Sequence, residues 1–182
     1  CAPCSSAVLE KLQEIFEITV FYYNPNISED AEYRKRVEEQ KRLIHAFNEK
    51  NPSCLIQIID GDYQPQEFYA IAKGLENCPE GGERCFKCYA LRLEKTAQTA
   101  KEGKYDFFTT TLTISPLKNA EKLNEIGEEM ALKYETAFLP SDFKKKEGYK
   151  RSIELSKEYD LYRQNFCGCA FSKAESLKRE LV

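Results

Sequence analysis

The chain carries a single histidine, a single methionine and no apolar run approaching the roughly 18–20 residues that a membrane-crossing helix needs. The lone His45 falls among lysines and glutamates on a helical stretch and reads as a solvated surface residue. With the one histidine in such a place, a histidine-dependent catalytic triad and a histidine-based metal site are both nearly excluded. No basic segment followed by an apolar one opens the chain, so no export signal is read. Neither G-x-x-x-x-G-K-[ST] nor G-x-G-x-x-G occurs, nor the Ser-Gly-Gly type of phosphate loop found in ATP pyrophosphatases, which removes the simplest nucleotide-binding readings. An excess of one charge is also missing. Against 30 acidic residues stand 27 basic ones, a net of -3, so there is no blanket basic surface for a polyanion. Repeats, low-complexity runs and linkers are absent. At 42% hydrophobic and 31% charged residues the 182-residue chain has a globular balance, and residues 1–182 are expected to form one domain.

What is present is sulfur. Eight cysteines are too few for a disulfide scaffold in a chain long enough to bury its own core. Six fall into tight pairs, Cys1 with Cys4, Cys85 with Cys88 and Cys167 with Cys169. A C-x-x-C pair lets two thiolates reach one metal centre from a single turn, whereas adjacent cysteines close no useful disulfide loop. Cys4 and Cys85 lie 81 residues apart, and Cys88 and Cys167 lie 79 apart. The fold, not a local finger, must therefore bring the pairs together, which points to a metal or cluster in an active-site mouth. A catalytic disulfide and inert thiols are the weaker readings. Such cysteine usage belongs in a reducing compartment, hence the cytoplasm. Cys54, at the head of an apolar strand, is expected to be core, and Cys78 lies in a loop shortly before Cys85.

Short β-branched or aromatic runs alternate with amphipathic stretches. Strands are expected at 18–23, 55–59, 107–112 and 136–139. Helices are expected at 28–50 (with Ser28 as N-cap), 64–74, 86–101, 117–132, 142–159 and from 172 onward. Strands separated by helices imply crossover connections and one mostly parallel sheet flanked by helices, an α/β fold. A first strand is expected upstream of residue 1, which puts Cys1–Ser6 in the first strand-to-helix turn. Ligands of such sheets bind beyond the carboxyl ends of the strands, near Asn24, Asp62, Ser115 and Asp142.

Asp62 and Asp142 leave strands near that mouth and are candidates for binding a metal or moving a proton; capping the helix that follows is the simpler alternative for each. Residues 143–151 read FKKKEGYKR. From Ser141 onward the balance is +3, against -6 for residues 1–140. A solvated helix face accounts for this run, while Phe143 and Tyr149 interleaved with the lysines also suit phosphates and unstacked bases.

The segments CAPCSS (1–6), YNPNI (23–27), EYRKR (32–36), GGERCFKCYALRLEKTA (81–97), TTTLTISPLKN (109–119) and YRQNFCGCAFS (162–172), in this order, resemble the epoxyqueuosine reductases of the QueH family over nearly the whole chain. The family usually has a short apolar strand and one more cysteine just before CAPC, both absent here. The resemblance implies an architecture like that of the nucleotide-binding α-hydrolases and ATP pyrophosphatases (HUP-like). It also implies the last step of queuosine formation in tRNA, the cobalamin-independent reduction of an epoxide on the modified wobble base to an alkene, with oxygen leaving as water. A 4Fe–4S cluster and an additional mononuclear iron are implied as cofactors. Cys1, Cys4, Cys85, Cys88, Cys167 and Cys169 are then divided between the two, with Asp62 as the preferred carboxylate ligand and Asp142 in reserve. The tRNA anticodon stem-loop is the expected partner, with Lys144, Lys145, Lys146, Lys150 and Arg151 on its phosphates, together with an electron donor the sequence does not identify. Two alternatives are a cluster-dependent tRNA thiolase and a non-catalytic module stabilised by zinc.

Overall fold

In the computed structural model, which describes residues 1–180, seven helices and four short strands follow one another as α1 (Ala2–Leu12), β1 (Thr19–Tyr22), α2 (Asp30–Lys50), β2 (Gln57–Asp60), α3 (Pro65–Ala72), α4 (Glu83–Glu102), β3 (Phe107–Phe108), α5 (Ala120–Tyr134), β4 (Ala137–Phe138), α6 (Gly148–Glu158) and α7 (Ala170–Glu180). The mixed α/β class and the parallel pairing agree with the sequence. The single sheet does not. Among the described residues β1 pairs only with β2, and β3 only with β4, giving two separate parallel ladders. No helix here is both long and apolar enough to cross a membrane.

Two apolar clusters hold these ladders. On α4, Tyr89, Leu93, Ala97 and Ala100 recur at helical spacing and pack with Leu123 and Ile126 of α5 and with Phe108 and Phe138 of the β3–β4 pair. On the other side Leu43, Ile44 and Phe47 of α2 meet Ala2 and Leu9 of α1, Ile56 and Leu161. Small residues permit close approach where the layers meet. A Cβ on Gly127 of α5 would stand 2.3 Å from the Phe138 ring.

Three elements depart from their expected bounds for local reasons. The strand expected at 107–112 stops at Phe108. The Thr110 hydroxyl accepts the Leu112 N–H at 3.2 Å and turns the chain into a 3-10 helix, Thr111–Ile114. The helix expected from 142 begins only at Gly148, because Lys146 and Glu147 both take positive φ in the intervening turns. Ser28 does not cap α2, whose N-cap is Glu29; its hydroxyl accepts the Ala170 N–H at 2.7 Å, at the start of α7.

Replacing Gly127 by Ala should lower stability by about 1–3 kcal/mol, despite alanine's better helix propensity, because the added methyl collides with a buried ring. Urea denaturation with an unchanged m-value is the check; an equal or higher midpoint would mean that Phe138 has room to move.

A candidate functional site ringed by thiols

All three cysteine pairs sit at helix starts. Cys1 is the N-cap of α1 and Cys4 lies in its first turn. Gly82, extended, caps α4, which places Cys85 and Cys88 in its first two turns. Cys167 and Cys169 lie immediately before α7. A helix start offers unpaired N–H groups and the positive end of the backbone dipole, both of which favour a sulfur anion. Here the Gly81 N–H meets Cys85 Sγ at 3.2 Å and the Ser172 N–H meets Cys169 Sγ at 3.3 Å. The six sulfurs share the wall of one cavity of about 210 Å³, beyond the carboxyl end of β1 and against the 3-10 helix that follows β3. All eight cysteines are free, and among the described residues no three Cys, His, Asp or Glu side chains are already converged as a ligand set.

The third pair is carried into the wall by residues far away in sequence. Arg36, buried on α2, donates Nη1 to the Cys167 carbonyl at 3.1 Å and Nη2 to the Phe166 carbonyl at 3.4 Å, and is itself paired with Glu32 at 2.7 Å. Asn26 Nδ2 donates to the same Cys167 carbonyl at 3.4 Å, and Ser28 N–H donates to the Gly168 carbonyl at 3.0 Å. Gly168 adopts φ +117°, and a Cβ there would lie 2.8 Å from Ile27. The turn thus requires glycine twice over.

The wall is cationic. Glu80 is its one acidic side chain among the described residues, and Glu80 is engaged: Lys118 lies 3.2 Å from Oε1, and Arg179 and Ser172 lie 3.2 and 3.3 Å from Oε2. Burial opposes the charge on Lys118, but Cys167, Tyr89 and Glu80 outweigh it and hold the ammonium above its ordinary range. Arg92 donates to Asn24 Oδ1 at 2.6 Å. Arg84, also buried, spends one nitrogen on the carbonyls of Leu75, Glu76 and Cys78 and stacks on Phe171, so it fixes the loop before α4.

The thiols differ in consequence. Burial pushes Cys88 up to about 11, against the pull of Arg92, and raises Cys85 against the Gly81 N–H and Lys118. Cys167 and Cys169 stand 3.5 Å apart; the hydrogen bond between their sulfurs draws Cys167 down, helped by Lys118, and pushes Cys169 up. The two thiols of the CGC turn are thereby set apart from each other, with Lys118 favouring the anion at Cys167.

The structure separates other candidates from this cavity. Asp62 is exposed in the turn after β2 and does not line the wall, nor is it the cap of α3, whose N-cap is Gln64. Asp142 belongs to a different, shallow hollow beside α5, where Lys144 and Lys145 bind its carboxylate at 2.8 and 3.5 Å. Neither lines the thiol cavity. Cys54 is only half-buried, in the loop before β2 rather than in the core, and Cys78 contributes its backbone carbonyl to Arg84. His45 is exposed beside Glu49. Within the basic run, Lys145, Lys146 and Lys150 are exposed, whereas Arg151 forms a two-point bridge to Glu10 at 2.8 and 2.6 Å. That bridge fastens α6 to α1. Tyr149 and Ser152 reach the cavity wall, so the run flanks its rim.

A family model described as epoxyqueuosine reductase QueH matches residues 1–175. The chain belongs to the QueH family. This QueH chain is 45% identical over 172 residues to the epoxyqueuosine reductase QueH of Streptococcus pyogenes serotype M1, covering 94% of this chain and 67% of that protein. It is 42% identical over 174 residues to the one from Staphylococcus epidermidis (94% and 73% covered) and 34% identical over 175 residues to the one from Thermotoga maritima (94% and 88%). Membership makes the chain an oxidoreductase. The QueH-like motifs marked the cysteines but not Lys118, Glu80, Tyr22, Tyr89 or Asn26. Lys118, Tyr89 and Asn26 lie inside those motifs, yet nothing in their spacing predicts a shared wall.

Gly168→Ala should shift the melting temperature down by an amount corresponding to about 1–3 kcal/mol and displace the CGC turn from Arg36. A crystal structure or a thermal melt indistinguishable from that of the unsubstituted chain would show that the turn tolerates a side chain.

Proposed function

We propose that this chain reduces epoxyqueuosine at the tRNA wobble position to queuosine, with a 4Fe–4S cluster and an additional iron held by Cys1, Cys4, Cys85, Cys88, Cys167 and Cys169. The observation that carries the reading is the convergence of six thiols from three distant segments on one cavity, in a chain whose relatives are named for this reduction. The donor set fits such a group. Its ligands are all soft sulfur, six exceed the four a cubane requires, and helix starts with Lys118 and Arg92 offset the negative charge that a thiolate-bound cluster brings. An architecture of the nucleotide-binding α-hydrolase kind is consistent with parallel strands whose carboxyl ends open on the cavity.

Reduction of the epoxide to an alkene consumes two electrons and two protons and releases water. Bound metal would supply the electrons singly and a Lewis acid for the epoxide oxygen. The chain's own residues hold the protons. Lys118 keeps its ammonium at Nζ, and Tyr89, raised to about 12 chiefly by burial, keeps its phenolic proton at an Oη with no protein partner. Phe68 and Ile114 in the wall exclude water around them. The electrons come from an external donor. A cytoplasmic setting follows from a tRNA substrate and reduced thiols.

An anticodon loop is single-stranded, so its wobble base can leave the stack and enter a cavity. Lys145, Lys146 and Lys150 are the exposed charges for its phosphates, since Lys145 and Lys150 make only solvent-exposed pairs with Asp142 and Glu147. Lys144 is tied to Asp142 and Arg151 to Glu10, and both contribute less.

Anaerobic purification with iron, acid-labile sulfide and spectral analysis, followed by an assay on epoxyqueuosine-containing tRNA, tests the whole reading. Brown protein with more iron than sulfide and conversion of the base is expected, and Cys88→Ser should lose iron and at least about a hundredfold of activity. Colourless protein that holds only zinc after attempted reconstitution overturns it. Replacing Lys145, Lys146 and Lys150 together by Gln should weaken tRNA binding and flatten its salt dependence by about two units of log–log slope. An unchanged slope would leave the run as a solvated face.

A further inference from the structure

Five polar atoms of residues that line the cavity are buried and have no protein partner, those of Tyr89 and Gln164 and three more, on Tyr22, Asn26 and Arg92, that gather around the segment leaving β1. Asn26, 4% exposed, gives its amide Nδ2 to the Cys167 carbonyl; since a carbonyl only accepts, the amide orientation is fixed and Oδ1 is left as an unpaired acceptor. Arg92 gives Nη2 to Asn24, which leaves its Nε–H as an unpaired donor. Tyr22, 3% exposed at the carboxyl end of β1, has a hydroxyl with neither donor nor acceptor around it. Asn24, which Arg92 holds, lies midway between Tyr22 and Asn26 in the segment that leaves β1, which brings the three residues to the same part of the cavity wall.

The combination is selective. A phosphate would require donors only, and a cation acceptors only. One fixed donor, one fixed acceptor and one hydroxyl able to do either match a neutral ligand rich in hydroxyl or ether oxygens. Burying such groups without partners is costly, and a ligand that completes them removes that cost.

Resting on the function proposed above, we infer that Tyr22, Asn26 and Arg92 form the subsite that holds the oxygen-bearing cyclopentane ring of the substrate, and so distinguish the modified wobble base from an unmodified guanine. The thiol pairs contribute the reacting side of the cavity, and this face sets which ring is presented to them.

The test compares equilibrium binding of two anticodon stem-loops, one carrying epoxyqueuosine and one carrying guanosine, to anaerobically purified protein. Tyr22→Phe should weaken binding of the epoxyqueuosine stem-loop about three- to tenfold and leave the guanosine stem-loop unchanged. Its thermal stability should stay equal or rise, because an unpaired buried hydroxyl has been removed. Arg92→Lys, which lacks the Nε–H donor, should narrow the same discrimination. Equal loss for both stem-loops, no loss for either, or a destabilised Tyr22→Phe protein would overturn the subsite, since each would assign the hydroxyl to folding or to nothing. If the unsubstituted protein binds the two stem-loops equally well, the function on which the subsite rests fails with it.

Discussion

The arrangement turns on one buried guanidinium. Arg36 is almost wholly out of water, and its charge is tolerated because Glu32 one turn earlier neutralises it and two backbone carbonyls complete its hydrogen bonding. Those carbonyls belong to Phe166 and Cys167, so the solvation of a charge on α2 is the same interaction that fixes the CGC turn. Without it the turn would keep only the Ser28, Asn26 and α7 contacts, and the third thiol pair would have no reason to face the other two. A buried ion pair rarely contributes much net stability, but one whose remaining donors are aimed at a distant backbone specifies geometry.

Around that anchor the cavity separates two kinds of polar chemistry. The thiols lie at helix starts, where the Gly81 N–H and Lys118 work against the burial that raises Cys85, and the one acid in the wall among the described residues is neutralised by Lys118 and Arg179. In the same wall the unpaired groups of Tyr22, Asn26 and Arg92 are suited to a neutral oxygenated ligand. Soft anionic donors and neutral hydrogen-bonding groups in one enclosure suit a reaction in which electrons arrive at one face of a substrate whose oxygen functions are held at the other.

Much of this was legible in the amino-acid sequence. The cysteine pairs declare themselves because close thiols have few structural uses, and the alternation of strand and helix gave the parallel pairing and the mouth at the strand ends. The losses have specific physical causes. The Thr110 hydroxyl captured a backbone N–H and cut a threonine-rich strand short. Ser28 looked like the cap of the helix it precedes and instead caps one that begins 142 residues later. Asp62 and Asp142 leave strands where ligands often lie, but one is in an open turn and the other is held by lysines. Tyr22 and Tyr89 occupy apolar positions of a strand and a helix, where periodicity cannot tell a core phenol from one facing a cavity. Pairings such as Glu80 with Lys118 join residues with no sequence signal at all.

The grip of α2 on the CGC turn also bears on the order in which the molecule can be built. Four of the six thiols, together with Arg36, Asn26 and Ser28, precede the turn they hold by a long stretch of chain. A polypeptide growing from its N-terminus therefore has the grip before it has the turn, and the third thiol pair can join the wall only once the turn and α7 have followed.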